Sequence, residues 1–159
     1  MKSDLSKVDF DSKFVIMGNA GEKSVIKIIN EKFPLVRKIP YYYSTFDFVE
    51  KDNNDQIVKV FELKTRNCSI NTYRDLCFGY NKLEEAMDLV EKNIRCFFMW
   101  YLLDPTDKNN RVLYYWEFTG GEEKQYKFGY MGNPHLRQIE KPSVFVKTEF
   151  LKKWEDIVV

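Results

Sequence analysis

The residues best suited to chemistry are Glu62 and Lys64, which close the apolar stretch VKVFELK. Two other acid-x-Lys strings occur, Asp11-Ser12-Lys13 and Glu122-Glu123-Lys124, but the first lies in a polar N-terminal stretch and the second in a polar loop after two glycines. Residues two apart on a strand share a face, so Glu62 and Lys64 point together while Phe61 and Leu63 point into the opposite layer. The plain alternative is a same-face ion pair on a half-exposed strand. A second acid, Asp47, precedes a six-residue polar segment, Lys51 to Gln56, that can join two antiparallel strands. With Glu50 opposite Ile57, Asp47 faces Val60, and Asp47 and Glu62 become diagonal neighbours with Cβ atoms roughly 7–8 Å apart. Carboxylates at that spacing can both reach one divalent ion held at ~2.1 Å from oxygen. An even change in loop length preserves this arrangement, whereas an odd one or a bulge breaks it. Taken alone, Asp47 reads equally as an acid near a turn.

The elements that must position these groups follow from hydrophobic periodicity. Val25, Ile26, Ile29 and Phe33 fall at helical spacing within Glu22 to Phe33, with Asn19 and Gly21 available for an entry turn and Pro34 as a stop. Glu22 lies four residues before Ile26 and seven before Ile29, so it joins the buried stripe and needs a partner there; the alternative is a first-turn acid favoured by the helix dipole. Tyr41 to Glu50 and Ile57 to Lys64 read as the two hairpin strands. Leu83 to Lys92 reads as a second helix, with Glu84, Glu85 and Asp88 in its first turns. Ile94 to Leu103 is a nearly continuous apolar run, suited to a central strand reached by a crossover. Arg111 to Phe118 and Ser143 to Val146 are further strands, and Thr148 to Trp154 a short closing helix. The expected fold is α/β: a single domain over residues 1–159, with a mixed central sheet and flanking helices.

An acidic helix residue, then Asp, then Glu-x-Lys at adjacent strand ends, then a helix and a strand, resembles the PD-(D/E)XK nuclease superfamily. The resemblance covers roughly residues 14–103 and implies an αβββαβ core, here followed by C-terminal strands. Asp47 matches the motif aspartate, Glu62 and Lys64 the D/E-x-K pair, and Glu22 the helix glutamate of many members. Phe46 stands where a proline often precedes the aspartate, and the third strand of the core would have to come from Leu35 to Tyr43. The family implies Mg²⁺- or Mn²⁺-dependent hydrolysis of DNA, less often RNA. Asp47, Glu62 and the Leu63 carbonyl would hold the metal, with Glu22 binding a metal water or a second ion. Lys64 would orient the attacking water and offset negative charge on the phosphate. A nuclease-like domain that binds nucleic acid or a protein without cutting is the competing expectation.

Around this constellation, Arg66 and Arg74 can fork onto phosphates, Tyr73 can stack on a base, and Lys82 can enter the site; each also reads as plain surface. Tyr41-Tyr42-Tyr43 and the run Phe97 to Tyr101 read as packing, and His135, in Gly-Asn-Pro-His, as a loop residue. The 159-residue chain has 25 basic and 24 acidic residues, a net charge of +1, so any nucleic-acid contact must use a local patch. Its three cysteines form no CxxC pair, and with one histidine they leave too few soft ligands for a zinc site. No apolar run of ~18 residues and no signal-peptide pattern occurs, which points to a soluble intracellular protein without a membrane partner. Richness in Lys, Asn, Ile, Phe and Tyr hints at an AT-rich genome such as that of a virus or phage. Because a small domain grips little duplex, a homodimer is the expected form for cutting both strands.

Overall fold

The computed structural model describes residues 13–39, 46–133 and 138–159. Helix α1 (Lys13–Lys32) leads into strands β1 (Arg37–Lys38), β2 (Phe48–Lys51), β3 (Ile57–Thr65) and β4 (Asp75–Gly79). Helix α2 (Tyr80–Glu91) follows, then β5 (Arg95–Leu103), β6 (Arg111–Phe118), β7 (Tyr126–Asn133), β8 (Gln138–Lys147) and the short β9 (Lys152–Lys153). Two sheets result, six strands ordered β1-β2-β3-β5-β6-β9 and three ordered β4-β8-β7. The fold is therefore mixed α/β. Strands β3 and β5 run parallel, with α2 in the connection between them, and the other pairs are antiparallel.

Alternation along β3 divides the interior. Phe61 and Leu63 face α1, where Val25, Ile29, Phe33, Phe97 and Trp154 complete one core. Val60 faces the other way, into a core built from α2 and the three-stranded sheet, with Phe78, Leu83, Phe98 and Trp100. The continuous apolar run of β5 feeds both layers: Phe97 stacks on Phe61 at 4.9 Å between ring centroids, and Phe98 on Phe78 at 3.9 Å. A strand covered on both faces has no polar face to show, which is why its sequence does not alternate.

Several expectations are corrected. The first helix starts at Lys13, so Asn19 and Gly21 lie inside it and Glu22 is not a first-turn acid. The helical glycine has a packing cause: a Cβ on Gly21 would lie 2.0 Å from Thr65 Oγ1. Its absence lets α1 approach the end of β3. The stripe Gly21, Val25, Ile29, Phe33 recurs every four residues and is buried, and Asn30 closes the helix by donating to the carbonyls of Phe33 and Val36 at 3.0 Å. Helix α2 begins at Tyr80, and its first turn holds no acid. The strand expected over Tyr41 to Glu50 starts at Phe48 among the described residues; Tyr41 to Tyr43 and His135 lie outside them. In place of a closing helix over Thr148 to Trp154, two 3-10 turns flank β9. Strands β4 and β7, absent from the expectation, are short or interrupted by glycines and carry too few alternating positions to be read locally. Among the described residues no helix is long and apolar enough to cross a membrane.

The α1–β3 contact predicts a paired result. Gly21→Ala should lower stability by about 1–3 kcal/mol through overpacking, despite the ~1 kcal/mol advantage of Ala in a helix. Gly21→Ala with Thr65→Ala should recover most of the loss in thermal unfolding. A more stable single variant would refute the close-approach explanation.

Candidate active site at the end of strand β3

The register that positions Asp47 differs from the expected one. Val60 pairs with Val49 and Phe61 with Phe48, a shift of two residues, and a bulge between Glu50 and Lys51 takes up the irregularity of the turn. Because the net shift is even, Asp47 stays on the side of Glu62, but it does not face Val60. Its backbone is tied on both sides: its N–H donates to the Phe61 carbonyl at 2.9 Å, and its carbonyl accepts from the Ile39 N–H at 3.0 Å. Its carboxylate accepts a hydrogen bond from the Leu63 N–H at 2.7 Å. Backbone and side chain of Asp47 thus bracket Glu62. The N–H and carbonyl of one strand residue point to the same side, so the Leu63 carbonyl is turned toward the edge that Asp47 occupies.

Glu62 is 4% exposed. A buried carboxylate is sustained only by cations or donors close by, and two lysines supply them. Lys64 Nζ lies 3.2 Å from Oε1, and Lys82 Nζ lies 3.3 Å from Oε2. Lys64 comes from the same strand face, as the spacing predicts. Lys82 arrives because α2 covers this face with Leu83 and Ala86, and its ammonium also stands 5.8 Å from the centre of the Phe46 ring. Oε2 of Glu62 is buried and accepts no well-formed hydrogen bond; the Lys82 ammonium is the charge that answers it.

Glu22 sits at the shoulder of the α1 stripe, one residue after the Gly21 contact, and pairs with Lys38 of β1 at 2.8 Å. The sequence reading missed Lys38, since that pair exists only because β1 packs beside α1. Burial pushes the Asp47 carboxyl well above its ordinary range; the nearby charges of Glu62 and then Glu22 push it further, while the Leu63 N–H and Lys64 pull it back. The three acids therefore share one electrostatic environment. Among the described residues no three or more His, Cys, Asp or Glu side chains stand together so that they could hold a metal ion. The Asp47 and Glu62 carboxylates and the Leu63 carbonyl are hard oxygen donors of the kind a divalent ion such as Mg²⁺ takes.

The softer candidates divide. Lys82 belongs to the cluster. Arg66 follows β3 directly: its N–H continues the ladder to the Tyr101 carbonyl at 3.2 Å, and its guanidinium donates to the Thr65 carbonyl at 2.9 Å. Arg111, not singled out by sequence, holds the same loop through the carbonyl of Arg66 at 2.9 Å and the side chain of Asn67 at 2.5 Å. Tyr73 is exposed, but it and Arg74 lie beside Thr148, whose hydroxyl donates to both carbonyls at 3.4 and 3.1 Å. Among the described residues no hydrogen bond, ion pair or ring contact joins them to the Glu62 cluster. Of the competing acid-x-Lys strings, Asp11 lies outside the described residues, and Glu122 accepts the Thr119 hydroxyl at 2.8 Å to close a turn. The cysteines are free thiols, and burial pushes Cys96 up to about 12.

The raised Asp47 pKa predicts a pH signature. The folded state holds the Asp47 proton more tightly than the unfolded chain does. The stabilising effect is complete below the ordinary carboxylate value of about 3.9 and is lost as pH rises through the folded pKa. Asp47→Asn keeps an acceptor for the Leu63 N–H without the charge. Its melting temperature should match wild type near pH 4 and exceed it increasingly toward neutral pH in a chelator; a gap that shrinks with rising pH would contradict the assignment. Comparison with family models, with curated proteins and with solved structures finds no match for this chain.

Proposed function

We propose that this chain is a divalent-metal-dependent endonuclease that hydrolyses phosphodiester bonds, with DNA the favoured substrate over RNA. The observation that carries the reading is the fixing of the Asp47 carboxylate on the Leu63 N–H beside buried Glu62, with Lys64 on the Glu62 carboxylate. The order α1–β1–β2–β3–α2–β5, with β5 parallel to β3, supports it, β4 being an addition to the expected core.

Asp47, Glu62 and the Leu63 carbonyl would hold Mg²⁺ or Mn²⁺, with Glu22 at its periphery. When bound, the ion polarises the phosphoryl oxygen and lowers the pKa of a water. Lys64 is the group placed to orient that water and to offset charge gathering on the phosphate. Lys82 holds Glu62 from the other side. Binding the ion replaces the acids' mutual repulsion with attraction, so Asp47 would give up its excess proton affinity.

A second reading, nucleic-acid or protein binding without cleavage, draws on one observation. Glu62 is already neutralised by two lysines, so its burial has an explanation that needs no metal.

The readings separate in one assay set. Mg²⁺ or Mn²⁺ should raise the melting temperature of wild type in proportion to the logarithm of concentration above Kd, and Asp47→Ala should abolish the shift. Cleavage of single-stranded, duplex or branched DNA, or of RNA, should need the metal and stop in EDTA. Lys64→Ala should fall at least ~100-fold in rate with its fold intact. Unchanged cutting by Lys64→Ala would sink the site assignment, and tight binding by wild type without turnover would leave the second reading. If both strands of a duplex are cut together, sedimentation should give a dimer.

A further inference from the structure

We propose that Lys82 is a built-in counter-ion: when no metal is bound, its ammonium holds the place on Glu62 that a divalent ion takes, and the ion enters by displacing it. This deepens the metal reading above and rests on it for the identity of the incoming ion.

Glu62 offers two oxygens, and both are taken. Oε1 faces Lys64 at 3.2 Å and Oε2 faces Lys82 at 3.3 Å. The residue is buried, so little water screens the charges around it, and a further cation meets strong repulsion there. An ion held at ~2.1 Å from a Glu62 oxygen therefore needs one ammonium to leave. Lys64 is rooted two residues along the same strand face, so its Cβ stays beside Glu62 in any rotamer. Lys82 is rooted on a different element and can withdraw. Its contact is also loose. At 3.3 Å, with no well-formed hydrogen bond on Oε2, it is an attraction between charges, longer than the ~2.7–2.9 Å of a charge-assisted hydrogen bond.

The helix that carries Lys82 works against it. Lys82 is the third residue of α2, whose N-terminal cap Gly79 makes no side-chain hydrogen bond and whose first turn holds no acid. The backbone N–H groups at that end carry partial positive charge, and a cation among them is disfavoured. The first turn of α2 therefore gives an ammonium no support; Glu62 gives it, from β3. A divalent ion on Glu62 carries twice the charge of the lysine and sits closer to the oxygen. With the acid neutralised by the ion, the helix end and the ion both repel Lys82. The Phe46 ring, 5.8 Å from the ammonium, remains as a contact for it.

The test reads metal binding and lysine accessibility, not cleavage, with Mg²⁺ alone as the probe on the full chain. Lys82→Met removes the competing charge and keeps the aliphatic stem, Lys82→Gln is a second neutral variant, and Lys82→Arg keeps the charge. Affinities come from the rise of melting temperature above the EDTA value with ion concentration. The neutral variants should bind Mg²⁺ about tenfold more tightly than wild type, the order of one contact to a charged group. Lys82→Arg should bind no more tightly than wild type. Displacement is checked in wild type with an amine-acylating ester and mass spectrometry. Mg²⁺ should raise the labelling of Lys82 several-fold relative to Lys59, which pairs with Glu50 and lies over the Phe33 ring, away from the site; Asp47→Ala should cancel the rise. Equal or weaker Mg²⁺ binding by the folded neutral variants, or unchanged labelling of Lys82 at saturating Mg²⁺, would overturn the counter-ion. Mg²⁺ binding that depends on Asp47 but is indifferent to Lys82 defeats this inference alone. Tighter binding by the neutral variants without cutting by wild type defeats the catalytic reading alone. No Mg²⁺ binding by wild type or the neutral variants defeats both.

Discussion

A carboxylate carried into the interior on a central strand sets the terms for this molecule. Glu62 has almost no exposure, and a charge so placed requires compensation from every element around it. Strand β3 supplies Lys64, α2 supplies Lys82, and the chain before β2 is pinned to β3 by Asp47. Moving any of these elements would strand a buried charge. The arrangement is thus a specification of the fold as well as a candidate site, since α2 can settle on the sheet only where its lysine meets the acid.

The same cluster stores an opposing tension. Asp47 is held beside two other acids, and burial and repulsion both favour its protonated form. A protein built for stability alone would place an amide or an apolar group there. Local conflicts of this kind concentrate where function is served, and a hard cation is a simple agent that would resolve it. Rigidity comes from elsewhere: the stacked rings of Phe61 on Phe97 and Phe98 on Phe78 lock the strands on both faces of the sheet directly beneath the cluster. The close passage of α1 over Thr65, which only a glycine at position 21 permits, sets the height of Glu22 above the sheet.

A net charge near zero argues against a chain that coats polyanions indiscriminately. On the β7–β8 hairpin Lys127 pairs with Asp75 at 3.6 Å, and the Lys147 ammonium donates to the Lys124 carbonyl at 3.2 Å, so cations there are engaged within the fold.

The parts legible in the sequence are those governed by local periodicity. The i, i+4 stripe of α1, the alternation of β3 and the unbroken apolar run of β5 each announce an element, because burial on one face, on alternate residues or on both faces leaves a direct mark on residue order. The pairing of Glu62 with Lys64 was visible for the same reason, since two residues apart on a strand is a fixed geometry. Gly21 was misread as a turn because its role is the approach of Thr65, 44 positions later. The short strand β4 and the glycine-interrupted β7 owe their structure to β8, and no local pattern marks them. Tertiary structure alone decided that Lys82 and not Arg74 reaches the site, that Lys38 pairs with Glu22, and that Asp47 aligns two residues from its expected register. Those outcomes depend on how α2, β1 and the Glu50–Lys51 bulge pack. The energy that selects them comes from contacts between residues far apart in the chain, and neighbouring residues carry no record of it.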